Sequence, residues 1–132
     1  MEKMTIKEIL AVDLAKNYKD ENVTVDEYYS GLNKLVENGK NSIEQFGNTL
    51  YICTPITSEE MEFHCSNADS KSKFIENGKE FLNDLQNKNY KIAFTTYDDP
   101  RCEDFVVGFG FPYTIKKIDQ GKHATYKAEM RL

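Results

Sequence analysis

The sequence predicts a mixed α/β domain, a central mixed sheet with helices on both faces, in the order α-α-β-β-β-α-β-α-β-β. Three observations predict it. Apolar residues recur at helical spacing in the N-terminal third, alternate in the middle, and change period again toward the C-terminus. The 132 residues match one domain of about 100–150 residues, and no linker or repeat divides them, so 1–132 reads as a single unit. Eight Tyr and eight Phe within a 39% apolar composition furnish a core, and a chain this long buries about two thirds of its unfolded surface.

Taken in order, Thr5 and Glu8 form a capping box ahead of a helical stripe of Ile6, Ile9, Leu10 and Leu14. Thr24 and Glu27 repeat that signature before Val25, Tyr28, Tyr29, Leu32, Leu35 and Val36, and Gly39 suits the left-handed residue that ends a helix. Of Tyr28 and Tyr29, one ring is expected to pack and the other to face solvent. Residues 42–46 and 49–56 then read as two strands joined at Gly47-Asn48, since both residues tolerate positive φ. A turn at Thr57-Ser58-Glu59 leads to a third strand over residues 60–65, with Met61, Phe63 and Cys65 on one side and Glu62 and His64 on the other.

Helical period returns with Phe74, Ile75, Phe81, Leu82 and Leu85, capped by Asp69 or Ser70. Gly78 is expected to weaken this helix by up to about 1 kcal/mol relative to Ala. Residues 91–97 form a strand, with Ile92, Ala93 and Phe94 buried. Asp98-Asp99-Pro100 starts a short helix that ends near Gly108 or Gly110. The last hairpin turns at Asp119-Gln120-Gly121-Lys122. Its second strand sets Ala124, Tyr126, Ala128, Met130 and Leu132 against His123, Thr125, Lys127, Glu129 and Arg131.

Composition excludes several function classes. Acidic residues number 22 against 17 basic ones, a balance opposed to a nucleic-acid groove. No apolar run approaches the roughly 20 residues of a membrane span, and Met1-Glu2-Lys3-Met4 is not a secretory leader. Three cysteines, Cys53, Cys65 and Cys102, include no Cys-x-x-Cys pair, which argues for a reducing compartment and against a disulfide framework or a metal site. His64 and Cys65 are strand neighbours on opposite faces and cannot share an ion. Cys102 lies near a helix start, but Glu103 and Asp104 oppose its ionisation, so it reads as a packing residue. Asp98, Asp99, Glu103 and Asp104 read as a cap and a solvated face. Phe105 and Phe109, four apart, pack the short helix on the sheet.

The element order, together with Phe105-Val106-Val107-Gly108-Phe109-Gly110-Phe111 and the final hairpin over 114–132, resembles the GNAT family of acetyl-CoA-dependent N-acetyltransferases. The resemblance implies that Gly110-Phe111 closes the short helix. It also implies that the stretch 65–71 takes the place of the loop whose backbone amides cradle the CoA pyrophosphate. Here that stretch is Cys65-Ser66-Asn67-Ala68-Asp69-Ser70-Lys71, without a glycine, and Asp69 brings a carboxylate to where two phosphates would sit. The family's frequent tyrosine acid falls on Val106, which has no proton to give, and its cofactor-contacting Asn falls on Asp99. If acetyl-CoA binds, the resemblance implicates Ser66, Asn67, Ala68, Asp69, Ser70, Lys71, Lys73 and Asp99, with Glu60 or Glu62 as the base.

Length, the Lys-rich helix start Lys71-Ser72-Lys73-Phe74 and a composition rich in Lys, Asn, Ile and Tyr, which hints at an AT-rich coding genome, also resemble the small GNAT-like internal virion proteins of short-tailed bacteriophages. With the family's three matching positions each altered, the resemblance implies a non-catalytic phage protein without cofactor. It would contact other virion proteins, in the virion or the host cytoplasm. The alternatives are an acetyl-CoA-dependent N-acetyltransferase with an atypical loop, and a phage protein that binds a host target.

Overall fold

The computed structural model describes residues 3–17, 22–120 and 123–132, with side chains for all of these but 17, 119, 120, 123 and 124. The predicted turn residues Gly121 and Lys122, and the side chain of His123, lie outside the described residues. Two helices, α1 (Ile6–Asn17) and α2 (Val25–Glu37), precede three strands, β1 (Ser42–Phe46), β2 (Thr49–Pro55) and β3 (Glu60–Asn67). Helix α3 (Lys71–Asn87), strand β4 (Ile92–Tyr97), a 3-10 turn at Pro100–Cys102 and helix α4 (Glu103–Gly108) follow. Strands β5 (Tyr113–Gln120) and β6 (His123–Arg131) close the chain.

Each capping signature acts as its chemistry requires. Thr5 Oγ1 accepts the Glu8 N–H while Glu8 Oε1 accepts the Thr5 N–H. Thr24 Oγ1 accepts the Glu27 N–H. Gly39 and Gly47 both have positive φ, at 75° and 58°. Tyr28 and Tyr29 depart from the expectation of one packed and one exposed ring: both are half-buried against the α1/α2 core, which is wide enough for two.

The sheet order is β1-β2-β3-β4-β6-β5. β1, β2 and β3 form an antiparallel meander, and β3 reaches the parallel β4 through the α3 crossover. The last strand lies inside the last-but-one: β6 pairs with β4 and leaves β5 at the edge. Their burial explains this placement. Ala128 and Met130 of β6 are fully buried, whereas Lys116 and Lys117 of β5 are exposed, and lysines suit an unpaired edge.

Helices cover both faces. Leu50 and Tyr51 are consecutive on β2 and so point to opposite sides. Leu50 packs with Ile9, Leu10 and Leu32 of α1 and α2. Tyr51 packs with Phe63, Phe81, Leu82, Leu85, Val106 and Phe109 under α3 and α4. The Tyr51 and Phe81 rings stack at 4.0 Å and form the centre of that second core.

Gly78 departs from its sequence expectation. A Cβ there would stand 2.1 Å from Cε1 of Phe109. The residue is therefore the contact point that lets α4 lie against α3, and its helical cost is secondary. Gly78→Ala is expected to destabilise the protein by about 1–3 kcal/mol through overpacking, where propensity alone would give a gain of about 1 kcal/mol. A lowered thermal midpoint checks this; a raised one would refute the packing account.

Candidate functional site

The parallel pair determines where a ligand can enter. β3 and β4 pair only at Glu60↔Ile92, Met61↔Ala93 and Glu62↔Phe94. Beyond that point β3 stays with β2 as far as Asn67↔Thr49, while β4 stays with β6 as far as Tyr97↔Tyr126. The two strands therefore part, and the sheet opens at their carboxyl ends. In open α/β sheets this is where ligands bind.

The segment Ala68-Asp69-Ser70 carries the chain from β3 into α3 at this opening. No residue in it has positive φ; the one non-glycine with that conformation among the described residues is Asn89. The loop therefore needs no glycine for its backbone course. Side chains hold it instead. Asp69 Oδ2 accepts the Asn48 N–H at 2.8 Å and the Asn77 side-chain amide at 2.8 Å. The same Asn77 amide donates to Thr49 Oγ1 at 3.0 Å, and Thr49 Oγ1 donates to Asn67 Oδ1 at 2.7 Å. Asn67 in turn accepts the Asp69 N–H at 3.0 Å and donates to the Asp69 carbonyl at 2.9 Å. Gly47 makes room for this arrangement, since a Cβ there would lie 2.6 Å from Asn77 Oδ1.

Asp69 lies immediately before the α3 cap, and its Oδ2 is bonded back to the β1–β2 turn and to α3. Of the two expected caps, Ser70 is the one used: it is extended, at φ −64° and ψ 165°, and its Oγ accepts the Lys73 N–H. The first-turn amides of α3 before Lys73 have no helical acceptor. Lys71 and Lys73 flank them, with Lys71 Nζ 3.7 Å from Asp104 and Lys73 Nζ 3.4 Å from Glu76. An open cleft of about 500 Å³ lies beside this start, lined by Asn48, Ala68, Asp69, Ser70, Ser72, Lys73 and Glu76.

The remaining sequence candidates are scattered. Ser66 is 1% exposed and lies opposite Leu50 on the α1 side, with no hydrogen-bond partner for its hydroxyl. The Ala68 N–H is spent on the Asn48 carbonyl. Asp99 is fully engaged with Arg101, whose guanidinium and backbone N–H hold its carboxyl below the usual range. Glu62 occupies the last paired position and so borders the opening, whereas Glu60 lies at the far end of β3 and accepts from Thr57. The acidic run also disperses: Asp98 accepts from Thr125, Asp99 holds Arg101 and Asp104 faces Lys71. Among the described residues no three His, Cys, Asp or Glu side chains gather for a metal, and no helix is long and apolar enough to cross a membrane.

Sequence reasoning missed Asn48, Thr49 and Asn77. The available signal was Asn77 itself, an amide on the apolar stripe of α3 between Phe74 and Phe81.

No protein-family model matches this sequence, and no curated protein matches it at the sequence level. Solved structures do match in shape. Ribosomal-protein-alanine N-acetyltransferase from Brucella melitensis aligns with a TM-score of 0.62 at 12% identity, covering 99% of this chain and 98% of the other. A mutant of spermidine N-acetyltransferase from Vibrio cholerae aligns at 0.66 and 11% identity, covering 98% and 93%. The same enzyme in complex with CoA and spermine aligns at 0.60 and 13% identity, covering 96% and 83%. The fold is that of the GNAT acetyltransferases.

Within that fold, α4 lies close against α3. Phe74 meets Phe105 edge-on at 4.7 Å and Phe109 at 6.1 Å, and Ile75 fills the space where a Cβ on Gly108 would stand. Val106 is buried in this seam. Tyr97, at the end of β4, stacks on Tyr126 at 5.4 Å, and its hydroxyl is buried without a partner. Burial pushes this phenol up to about 12. Burial, then the charge of Asp99, also raises the Cys102 thiol, which is the reverse of an activated nucleophile.

Burial pushes Cys53 from its ordinary 9.0 up to about 12. Above pH 9 the unfolded chain releases this proton while the folded chain keeps it. The unfolded state then binds fewer protons, so stability falls as pH rises. The thermal midpoint is expected to decline between pH 9 and about 12, less steeply in Cys53→Ala. An identical slope in the variant would assign the decline to other groups, such as Tyr97.

Proposed function

We propose that the chain binds a CoA thioester where β3 and β4 part and transfers its acyl group to an amine. The observation that carries this reading is the start of α3. Unpartnered amides flanked by Lys71 and Lys73 stand at the mouth of the opening, on a loop whose carboxylate is bonded to Asn48 and Asn77. A helix start of this kind suits a pyrophosphate. The likeness to a structure holding CoA supports the reading at the level of fold.

The residues present fit the phosphate end of such a group: the amides of Lys71 and Ser72 with the two lysine side chains. When bound, the group supplies an acyl carbon activated by its thioester. Glu62, bordering the opening, accepts the proton of the attacking amine as the nitrogen–carbon bond forms and the carbon–sulfur bond breaks. The departing thiolate takes its proton from water. A thiol of ordinary pKa, about 8.5, leaves without strong acid assistance, which is compatible with Val106 at the family's acid position. Ser66, Asn67 and Ala68 serve as scaffold in this reading, and Asp99 only caps the 3-10 turn.

A second reading is favoured by the closed seam between α3 and α4. If Phe74, Phe105 and Phe109 do not yield to a ligand, the fold acts as a non-catalytic scaffold for protein contacts, in a virion or on a host protein.

Calorimetric titration with acetyl-CoA separates the two. A dissociation constant near 1 μM, about −8 kcal/mol, is expected. Glu62→Gln is expected to keep that affinity and lower acetyl transfer to an amine acceptor by about 100-fold or more, while Glu60→Gln stays at the wild-type rate. No heat at millimolar ligand would overturn the proposal and leave the scaffold reading.

A further inference from the structure

We infer that Asn77 and Asp69 are positioning residues: their hydrogen bond sets the anion-binding start of α3 in place of the glycines this loop lacks. The inference rests on the reading above and goes beyond it, since neither side chain need touch the ligand. Asn77 is 1% exposed on the apolar side of its helix, between Phe74 and Phe81. A buried amide at such a place is costly unless its hydrogen bonds are made. Both of its donated bonds are made, to Thr49 Oγ1 and to Asp69 Oδ2.

Asp69 Oδ2 is also bonded to the Asn48 N–H, so the β1–β2 turn, the loop and the second turn of α3 meet on one carboxylate oxygen. Two consequences follow. The loop is held in one course without a positive φ. Two donors on Oδ2 also offset part of the charge that would otherwise repel an anion at the amides of Lys71 and Ser72. An asparagine is suited to this task, because its amide nitrogen donates twice while carrying no charge.

The test exchanges donor and acceptor. In Asn77→Asp two carboxylates face each other across the present 2.8 Å contact, and Asp69 is forced out toward the anion path. Adding Asp69→Asn restores one amide and one carboxylate with the roles reversed. Calorimetry is run on each chain with CoA and with acetyl-pantetheine, which has the thioester but no pyrophosphate. Asn77→Asp is expected to weaken CoA about tenfold or more, as a lost hydrogen bond to a charged group does, and to leave acetyl-pantetheine unchanged. The double variant is expected to recover most of the CoA affinity.

Equal losses for both ligands, or no loss for CoA, would overturn the inference, because a merely structural role moves both together. If Asn77→Asp does not fold, Asp69→Ala makes the same comparison from the loop. If the wild-type chain binds no CoA, the functional reading fails by itself. The positioning claim is then decided by amide exchange at residues 71–73: faster in Asn77→Asp and restored in the double variant sustains it, and no change refutes it.

Discussion

The hydrogen bond from Asn77 to Asp69 is the contact on which most of the molecule converges. Asn77 belongs to the crossover helix and Asp69 to the loop that begins it, and through Asp69 the bond reaches the backbone of Asn48 in the first hairpin. Asn48 extends it further. Its side chain accepts the Met4 N–H at 2.9 Å, and the Met4 carbonyl accepts Gln45 Nε2 at 2.9 Å. One polar network therefore joins the entry to α1, the β1–β2 turn, the end of β3 and the body of α3. Its two fully buried members, Thr49 and Asn77, lie next to the stacked Tyr51–Phe81 core, away from the water that would compete with their bond.

Local chemistry made much of the fold legible in the sequence. Thr5 with Glu8, Thr24 and Ser70 cap helices because a short side-chain oxygen can reach a free first-turn amide, and that needs no tertiary context. Gly39 and Gly47 take positive φ for a similarly local reason. The order of the last two strands was not legible. Sequence alternation identifies β6 as a strand with a buried face, but whether β6 or β5 lies against β4 depends on which one the rest of the sheet can cover. Gly78 failed for the same kind of reason. Helix propensity is local, whereas the ring of Phe109 reaches Gly78 from a helix some thirty residues on in the chain.

The candidate site was half legible. The place of the loop and the lysines at the start of α3 follow from the strand-to-helix transition. The direction of the Asp69 carboxylate does not, since it is decided by Asn48 and Asn77, neither adjacent in sequence. Read along the chain, an acidic residue at a helix start is a cap or an obstacle to anions. In the structure Ser70 is the cap, and Asp69 ties the first hairpin to α3. Glu60 and Glu62 show the same limit. They are equivalent in sequence, and only the register shows that Glu62 takes the last position paired with β4, beside the opening, and Glu60 the first.

The opening between β3 and β4 and the seam between α3 and α4 pull in different directions. Parting strands expose backbone that a ligand could pair with, while Phe74, Phe105 and Phe109 close the helices above through edge contacts. Such a seam is not rigid throughout. Its outer end is held by the Lys71–Asp104 pair, whose side chains are 63% and 69% exposed, so it contributes little. Its inner end is held by Gly78 against Phe109, which is tight and buried. A ligand entering from the start of α3 would thus meet the weak end first. An anion bound at the α3 amides competes directly with Asp104 for Lys71, so phosphate binding and release of the outer seam would be one event. The lysine that pairs with Asp104 in this structure is thus the one an anion at the α3 amides would draw away from it.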